Sequence, residues 1–211
     1  MSEILLVRHG ETEWNAEGRI QGYRADSPLT GIGRAQAQAL ARRIAGESVD
    51  VLYSSDAGRT RQTVAPIAEA TQLPVVLDAS LRERNYGIFE GRTYSEVKLD
   101  FPQDYERFRT HDPHFAAEGG ETALQFRDRV IEALERLARQ AEGGRAVVVT
   151  HGGVLAAIYR HAMGIPLDAP RSFSIANAGL NRLSFHAGAW RMVAWGDIAH
   201  LSETRFEGMQ P

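Results

Sequence analysis

Two histidines, His9 and His151, each follow a short apolar run, and each is followed by glycine. The segments are Arg8-His9-Gly10-Glu11-Thr12 after Ile4 to Val7, and Thr150-His151-Gly152-Gly153 after Ala146 to Val149. Ser54-Ser55-Asp56-Ala57-Gly58-Arg59 follows the run Val51 to Tyr53, and Leu81-Arg82-Glu83-Arg84 comes after Val75 to Leu77. A neutral imidazole is a nucleophile at pH 7 once its other ring nitrogen is held by a hydrogen bond. Gly10 lets the backbone approach closely enough to supply that carbonyl. Arg8 and Arg59 can fork onto phosphate oxygens. A second histidine can donate to negative charge as it develops. A carboxyl buried beside a phosphate keeps its proton more readily and can protonate a departing oxygen. Together these groups describe phosphoryl transfer through a phosphohistidine, with no metal and no cofactor. For Glu83 the flanking Arg82 and Arg84 leave a structural salt bridge as the competing reading. His111, His114, His161, His186 and His200 read as surface or satisfied-core residues.

The elements that position these groups alternate. The four runs are short and rich in Val, Ile and Leu, as expected of strands covered on both faces. Thr30 caps a predicted helix through about Ala45, with Ala35, Ala39, Leu40 and Ile44 on its apolar side. A second helix spans about Gly58 to Ala70 and contains Pro66, which is expected to kink it. Thr122 with Gln125 forms a capping-box signature that opens a helix to about Gln140. Gly153 to Met163 is a fourth helix, ended by Gly164 and Pro166. Leu180 to Phe185 and Trp190 to Trp195 flank His186-Ala187-Gly188-Ala189 as a hairpin. The pattern predicts an α/β fold: a three-layer αβα sandwich with a mainly parallel sheet, helices on both faces and a small cap. Residues 81–121 break the alternation, hold seven Tyr and Phe side chains, and read as an insertion capping one sheet edge. Ligands of such sheets bind outside the carboxyl ends of the strands, where all the candidate residues fall.

Composition narrows the chemistry further. The chain has 211 residues, and Lys98 is the sole lysine among 24 basic side chains. No Gly-Lys-Ser/Thr occurs, which excludes a Walker-type phosphate loop. Anion binding falls to guanidinium, imidazole or backbone N–H groups. The chain has no cysteine, so thiol nucleophiles and thiolate zinc sites are excluded. No His-Glu-x-x-His or Gly-x-Ser-x-Gly is present. Gly31-Ile32-Gly33 lacks the third glycine of a dinucleotide fingerprint and follows no strand. A net charge of −3 gives no footprint for nucleic acid, and no apolar run reaches the ~18 residues of a membrane span. A start without a basic or cleavable leader leads to the expectation of a cytoplasmic protein.

The run Leu6-Val7-Arg8-His9-Gly10-Glu11-Thr12-Glu13-Trp14-Asn15 resembles the opening of the histidine phosphatase superfamily, which includes cofactor-dependent phosphoglycerate mutases. The resemblance continues through Gly18-Arg19-Ile20-Gln21-Gly22, Asp26-Ser27-Pro28-Leu29-Thr30, Ser54-Ser55-Asp56, Arg59, Leu81-Arg82-Glu83, Gly87-Ile88-Phe89-Glu90-Gly91, Gly119-Gly120-Glu121-Thr122 and Thr150-His151-Gly152-Gly153. It ends at Trp195-Gly196-Asp197 and covers nearly the whole chain. It implies one phosphoglycerate mutase-like domain over 1–211, with His9 as the phosphorylated nucleophile. It also implies that Arg8, Arg59 and His151 bind the transferring phosphoryl group with Asn15 and Gly152, and that Gln21 contacts phosphate or substrate. Glu83 would be the proton donor to the leaving group.

The family holds phosphatases and mutases. In mutases a longer insertion and extra basic residues exclude water. Here only about 30 residues separate Gly91 from Thr122, an ordinary length for a functional loop. No adjacent arginine pair lies in that stretch, with Arg107 and Arg109 the nearest substitutes. The Gln21-Gly22 and Asp26-Ser27-Pro28 segments look more like the broad-specificity and ribazole-phosphate phosphatases. The expectation is therefore a metal-independent phosphomonoesterase acting on a small-molecule phosphate ester. The alternatives are a 2,3-bisphosphoglycerate-dependent phosphoglycerate mutase and, more remotely, a catalytically silent binding module. No nucleic-acid or membrane partner is expected. For self-association a homodimer is the candidate.

Overall fold

In the computed structural model, which describes residues 1–202, a six-stranded sheet runs through the molecule in the order β3-β2-β4-β1-β5-β6. β1 (Ser2–Arg8), β2 (Val51–Ser54), β3 (Val75–Leu77) and β4 (Arg145–Thr150) form the parallel part. β5 (Leu180–His186) and β6 (Ala189–Asp197) extend it antiparallel beyond β1. The last nine residues of the expected single domain lie outside the described residues.

Alternation along each strand divides the core into two layers. Leu5, Val7, Leu52, Val147 and Val149 face one side, against α2 (Gly31–Ala45) and α3 (Gly58–Thr71). Ile4, Leu6, Tyr53, Ala146 and Val148 face the other, against α6 (Ala123–Gln140) and α7 (Gly152–Met163). This is the expected three-layer sandwich. Because β1 and β4 lie centrally and are covered on both faces, their carboxyl ends are fixed points of the fold.

The helix starts are those the caps imply. The Thr30 hydroxyl accepts from the Gly33 amide, and Thr122 with Gln125 makes a complete capping box. α7 ends at Gly164, which takes φ +66°, a left-handed conformation that glycine adopts without strain.

Four expectations need correction. β3 is an edge strand with Val76 and Leu77 each 46% exposed, so its apolar run is not covered on both faces. On α2 the buried alanines are Ala37, Ala39 and Ala41, while Ala35 is only half-buried, because the helix turns a slightly different stripe toward α3. The hairpin turn is two residues long: His186 pairs with Ala189, and Ala187-Gly188 carry the positive φ values that such a turn requires.

The fourth concerns the insertion. It contains one short 3₁₀ turn (Gly87–Phe89), α4 (Tyr94–Asp100) and α5 (Pro102–Arg109). These pack around Phe89, which is fully buried among Phe101, Phe108 and Phe115. Tyr86, Tyr105 and Phe108 of this small core share a cavity wall with Arg8 at the end of β1 and Gly152-Gly153 just after β4, so the insertion faces the central strand ends. It is tied to the loop after β1, where the Ile20 N–H donates to the Arg92 carbonyl and the Gly91 N–H donates to the Ile20 carbonyl. α1 (Glu13–Ala16), capped by Thr12, completes that loop.

Candidate active site

His9 leaves the end of β1 and is buried. Its backbone N–H donates to the Thr150 carbonyl at the end of β4, locking the two strand ends together. Its Nδ1 lies 2.8 Å from the Gly10 carbonyl, so Nδ1 carries the proton and Nε2 keeps its lone pair. The expected carbonyl is therefore in place. Gly10 serves a second purpose as well. A Cβ there would stand 2.5 Å from the Gly33 carbonyl oxygen, and one on Gly33 would stand 2.0 Å from the Glu11 oxygen. The loop after β1 and the first turn of α2 thus cross backbone to backbone. Burial and the charges of Arg59 and Arg8 hold the imidazole well below its usual range, outweighing the Gly10 bond.

Arg59, in the first turn of α3, is 1% exposed. Its guanidinium is heavily engaged. Nε donates to His151 Nδ1 (3.2 Å), one terminal nitrogen donates to Asp26 (2.8 Å) and the Ala25 carbonyl (3.3 Å), and the other to the Gly22 carbonyl (3.0 Å). A single N–H remains. The expected fork onto phosphate is not free at Arg59, because the loop 22–26 occupies it.

Arg8 is the reverse. Only one of its terminal nitrogens is bound, to the Ile175 carbonyl at 2.9 Å, and its buried Nε has no partner among the described residues. The Nε edge of Arg8 is therefore a fork without an acceptor, directed along Gly152, where a Cβ would lie 3.4 Å from Nε. A buried donor left unpaired is costly, and an anion satisfies it.

His151, at the start of α7, is fully buried and edge-on to His9, with ring centroids 5.4 Å apart. Since Nδ1 accepts from Arg59, Nε2 carries the proton and donates to Ser55 Oγ at 2.9 Å. Burial and the same arginines keep this ring neutral too. Ser55 was missed by sequence reasoning, although it sits in the segment after β2 that the strand-end rule singles out.

The Glu83 carboxyl is paired with neither flanking arginine. Arg82 is turned away onto Asp56, and the Arg84 guanidinium binds the Glu121 and Phe115 carbonyls. The Glu83 carboxyl is buried and accepts from the backbone N–H groups of Arg84 and Gly153, both at 2.7 Å. Gly153 lies in the first turn of α7, so the carboxyl caps a helix N-terminus. Burial raises its pKa, against the pull of these two bonds and of Arg59 and Arg8.

The polar loop is less direct. Asn15 accepts from Asn177, which also donates to the His9 carbonyl. Gln21 is spent within the loop, accepting from Thr12 and donating to Ser27. Asn177 was not anticipated either, since it comes from the distant loop before β5.

A cavity of about 650 Å³ opens beside Arg8 and Gly152-Gly153. Its other walls are Tyr86, Tyr94, Tyr105 and Phe108 from the cap, and Arg160, Arg171 and Ile175 from α7 and the loop beyond. The cap aromatics therefore roof the site. His111, read from sequence as a bland histidine, lies in this wall. Among the described residues no cluster of three or more His, Asp or Glu is placed to hold a metal.

Residues 4–198 match the family model of the histidine phosphatase superfamily (branch 1). The chain is 36% identical to a probable phosphoglycerate mutase of Serratia proteamaculans, over the full length of both. It is 38% identical to a metal-independent phosphoserine phosphatase of Arabidopsis thaliana, covering 98% of this chain and 86% of that one. Among solved structures, YhfR of Bacillus stearothermophilus superposes with a TM-score of 0.90 at 30% identity, covering 96% of this chain and all of that one.

Proposed function

The chain belongs to branch 1 of the histidine phosphatase superfamily, and from that premise we propose that it is a metal-independent phosphomonoesterase working through a phosphohistidine on His9. The observation that carries this reading is the pairing of a buried neutral imidazole, held at Nδ1 by Gly10, with a buried carboxyl whose pKa is raised. One group is poised to give electrons and the other to give a proton.

In the first half-reaction His9 Nε2 attacks phosphorus. The P–N bond forms as the ester P–O bond breaks, and the Glu83 proton passes to the leaving oxygen. The Arg8 fork, the remaining Arg59 N–H and the N-terminus of α7 at Gly152 stabilise the equatorial oxygens. His151 joins them by turning the hydrogen bond of its Nε2–H from Ser55 to a phosphoryl oxygen, keeping its proton. In the second half-reaction the Glu83 carboxylate takes a proton from water as the water oxygen bonds to phosphorus. The P–N bond breaks, inorganic phosphate leaves, and His9 and protonated Glu83 are restored. Asn15 and Gln21 act by fixing the loop around Thr12.

The Arabidopsis relative named as a phosphoserine phosphatase supports hydrolysis, and the Serratia relative named as a probable mutase favours the alternative. Against the mutase stands the cap. Arg107 is held by Asp112 and Arg109 by Glu106, so neither of the substitutes for the missing arginine pair is free. The test is phosphate release from an aryl phosphate and from phosphoglycerate, with and without bisphosphoglycerate. Hydrolysis that needs no bisphosphoglycerate and vanishes in His9→Ala is expected. Isomerisation outrunning release would establish the mutase, and turnover retained in His9→Ala would remove the nucleophile.

A further inference from the structure

We infer that the cavity selects phosphate esters whose leaving group carries a second anionic oxygen group, and that Arg171 reads that group. The inference rests on the phosphatase reading for the direction in which the ester lies, with its phosphoryl end at His9.

Six arginines line the cavity, namely Arg8, Arg84, Arg109, Arg127, Arg160 and Arg171, and no Asp or Glu is among the lining residues. Five of the six have protein partners. Arg8 donates to the Ile175 carbonyl, and Arg84 donates to the Glu121 and Phe115 carbonyls. Arg109 pairs with Glu106 and Arg127 with Asp128. Arg160 donates to the Pro166 and Ala169 carbonyls and stacks on Phe173. Arg171 has no hydrogen bond and no ion pair among the described residues. Its charge is felt instead by other cations and neutral rings. Burial depresses Arg8, His111 and Arg160, and Arg171 adds to it in all three, behind Arg160 at His111 and against the larger, opposite pull of Glu83 at Arg8. A cation left without a counter-ion on a concave wall already positive focuses potential onto whatever enters. A guanidinium fork matches a carboxylate or a phosphate equally well.

The placement of Arg171 is not accidental to the site. It lies in the loop between α7 and β5 that also delivers the Ile175 carbonyl to Arg8 and Asn177 to His9 and Asn15. The same loop is pinned by the Ala178 N–H, which donates to the Arg8 carbonyl. Arg171, itself exposed, thus lies in the same loop that lines the phosphoryl pocket. The cavity volume of about 650 Å³ is that of a small-molecule site, with room for a leaving group as well as the phosphoryl.

The test measures binding without turnover, in the full chain carrying His9→Ala. Glycerol 3-phosphate, 3-phosphoglycerate and glycerol 1,3-bisphosphate are titrated by calorimetry. The first bears no second anion, the second adds a carboxylate and the third a phosphate. At least one of the two charged probes is expected to bind tenfold or more tighter than glycerol 3-phosphate, and the tighter one identifies the group. Adding Arg171→Gln should reduce that preference to threefold or less, and Arg171→Lys should retain part of it. Equal affinities, no binding of any probe, or a preference that survives Arg171→Gln would overturn the inference. Hydrolysis by the unaltered protein is assayed separately. Selective binding without hydrolysis would defeat the phosphatase reading and leave this one standing.

Discussion

Replacing Gly153 by alanine separates the acid from the rest of the site. A Cβ at this position would lie 2.1 Å from Glu83 Oε1, 2.9 Å from Cδ and 3.1 Å from Oε2. The carboxyl must therefore leave its place, and with it goes the 2.7 Å bond from the Gly153 amide. The helix itself has no reason to fail. Gly153 has no positive φ, and alanine is favoured over glycine in helices by up to about 1 kcal/mol. A hydrogen bond to a charged group is worth roughly 1.5–3 kcal/mol. At 1.36 kcal/mol per tenfold, that predicts a loss of about 10- to 150-fold in kcat/KM when the leaving group needs a proton. An alkyl phosphate needs it, and p-nitrophenyl phosphate largely does not. The assay is therefore the ratio of the two kcat/KM values in the unaltered protein, Gly153→Ala, Glu83→Gln and the double variant. If Gly153 acts through Glu83, the double variant is no worse than Glu83→Gln alone. Equal losses on both esters, or losses that multiply in the double variant, would refute the reasoning.

The remaining predictions concern the imidazoles and their supports. His9 must be neutral to attack, and its pKa is lowered, so kcat/KM for an alkyl ester should hold below the ordinary imidazole range as pH falls. Glu83 must be protonated, and its pKa is raised, so activity should fall as pH rises through that value, a limb that Glu83→Gln should abolish in a pH–rate profile. Ser55→Ala removes a hydrogen bond that His151 Nε2 must give up before it reaches the phosphoryl oxygen, so it should leave kcat/KM unchanged or raise it by up to about fivefold, at roughly 1 kcal/mol for the bond. Unlike Gly153→Ala, it should act alike on aryl and alkyl esters. Gly10→Ala forces backbone apart at the Gly33 carbonyl and should cost on the order of 1–3 kcal/mol in urea unfolding, with a loss of activity beyond it because His9 shifts.

What could be read from the residues was what lies close in the chain. Short apolar runs followed by Arg-His-Gly and Thr-His-Gly-Gly gave both the strands and the histidines at their ends, because a strand end fixes the next residue or two. Glu83 was ambiguous, since sequence cannot say where Arg82 and Arg84 turn. The fold sends one to Asp56 and the other to the Glu121 and Phe115 carbonyls. Arg59 was identified as an anion binder, yet most of its donors belong to loop 22–26, a long-range pairing that no local pattern encodes. His111, Arg171 and Asn177 were out of reach for the same reason. They meet the site only because the cap and the loop before β5 fold over one rim. β3 shows the limit of patterning from the other side, an apolar run exposed because it falls at a sheet edge.

The central claim is a covalent phosphoryl group on His9, and trapping that intermediate tests it most directly. The protein is mixed with a labelled phosphate ester, quenched in alkali within milliseconds, digested and mapped by mass spectrometry. The account predicts one adduct on the peptide bearing His9, stable in base, lost in acid, and absent from His9→Ala. An acid-stable adduct, or one mapped to any other residue, would contradict it.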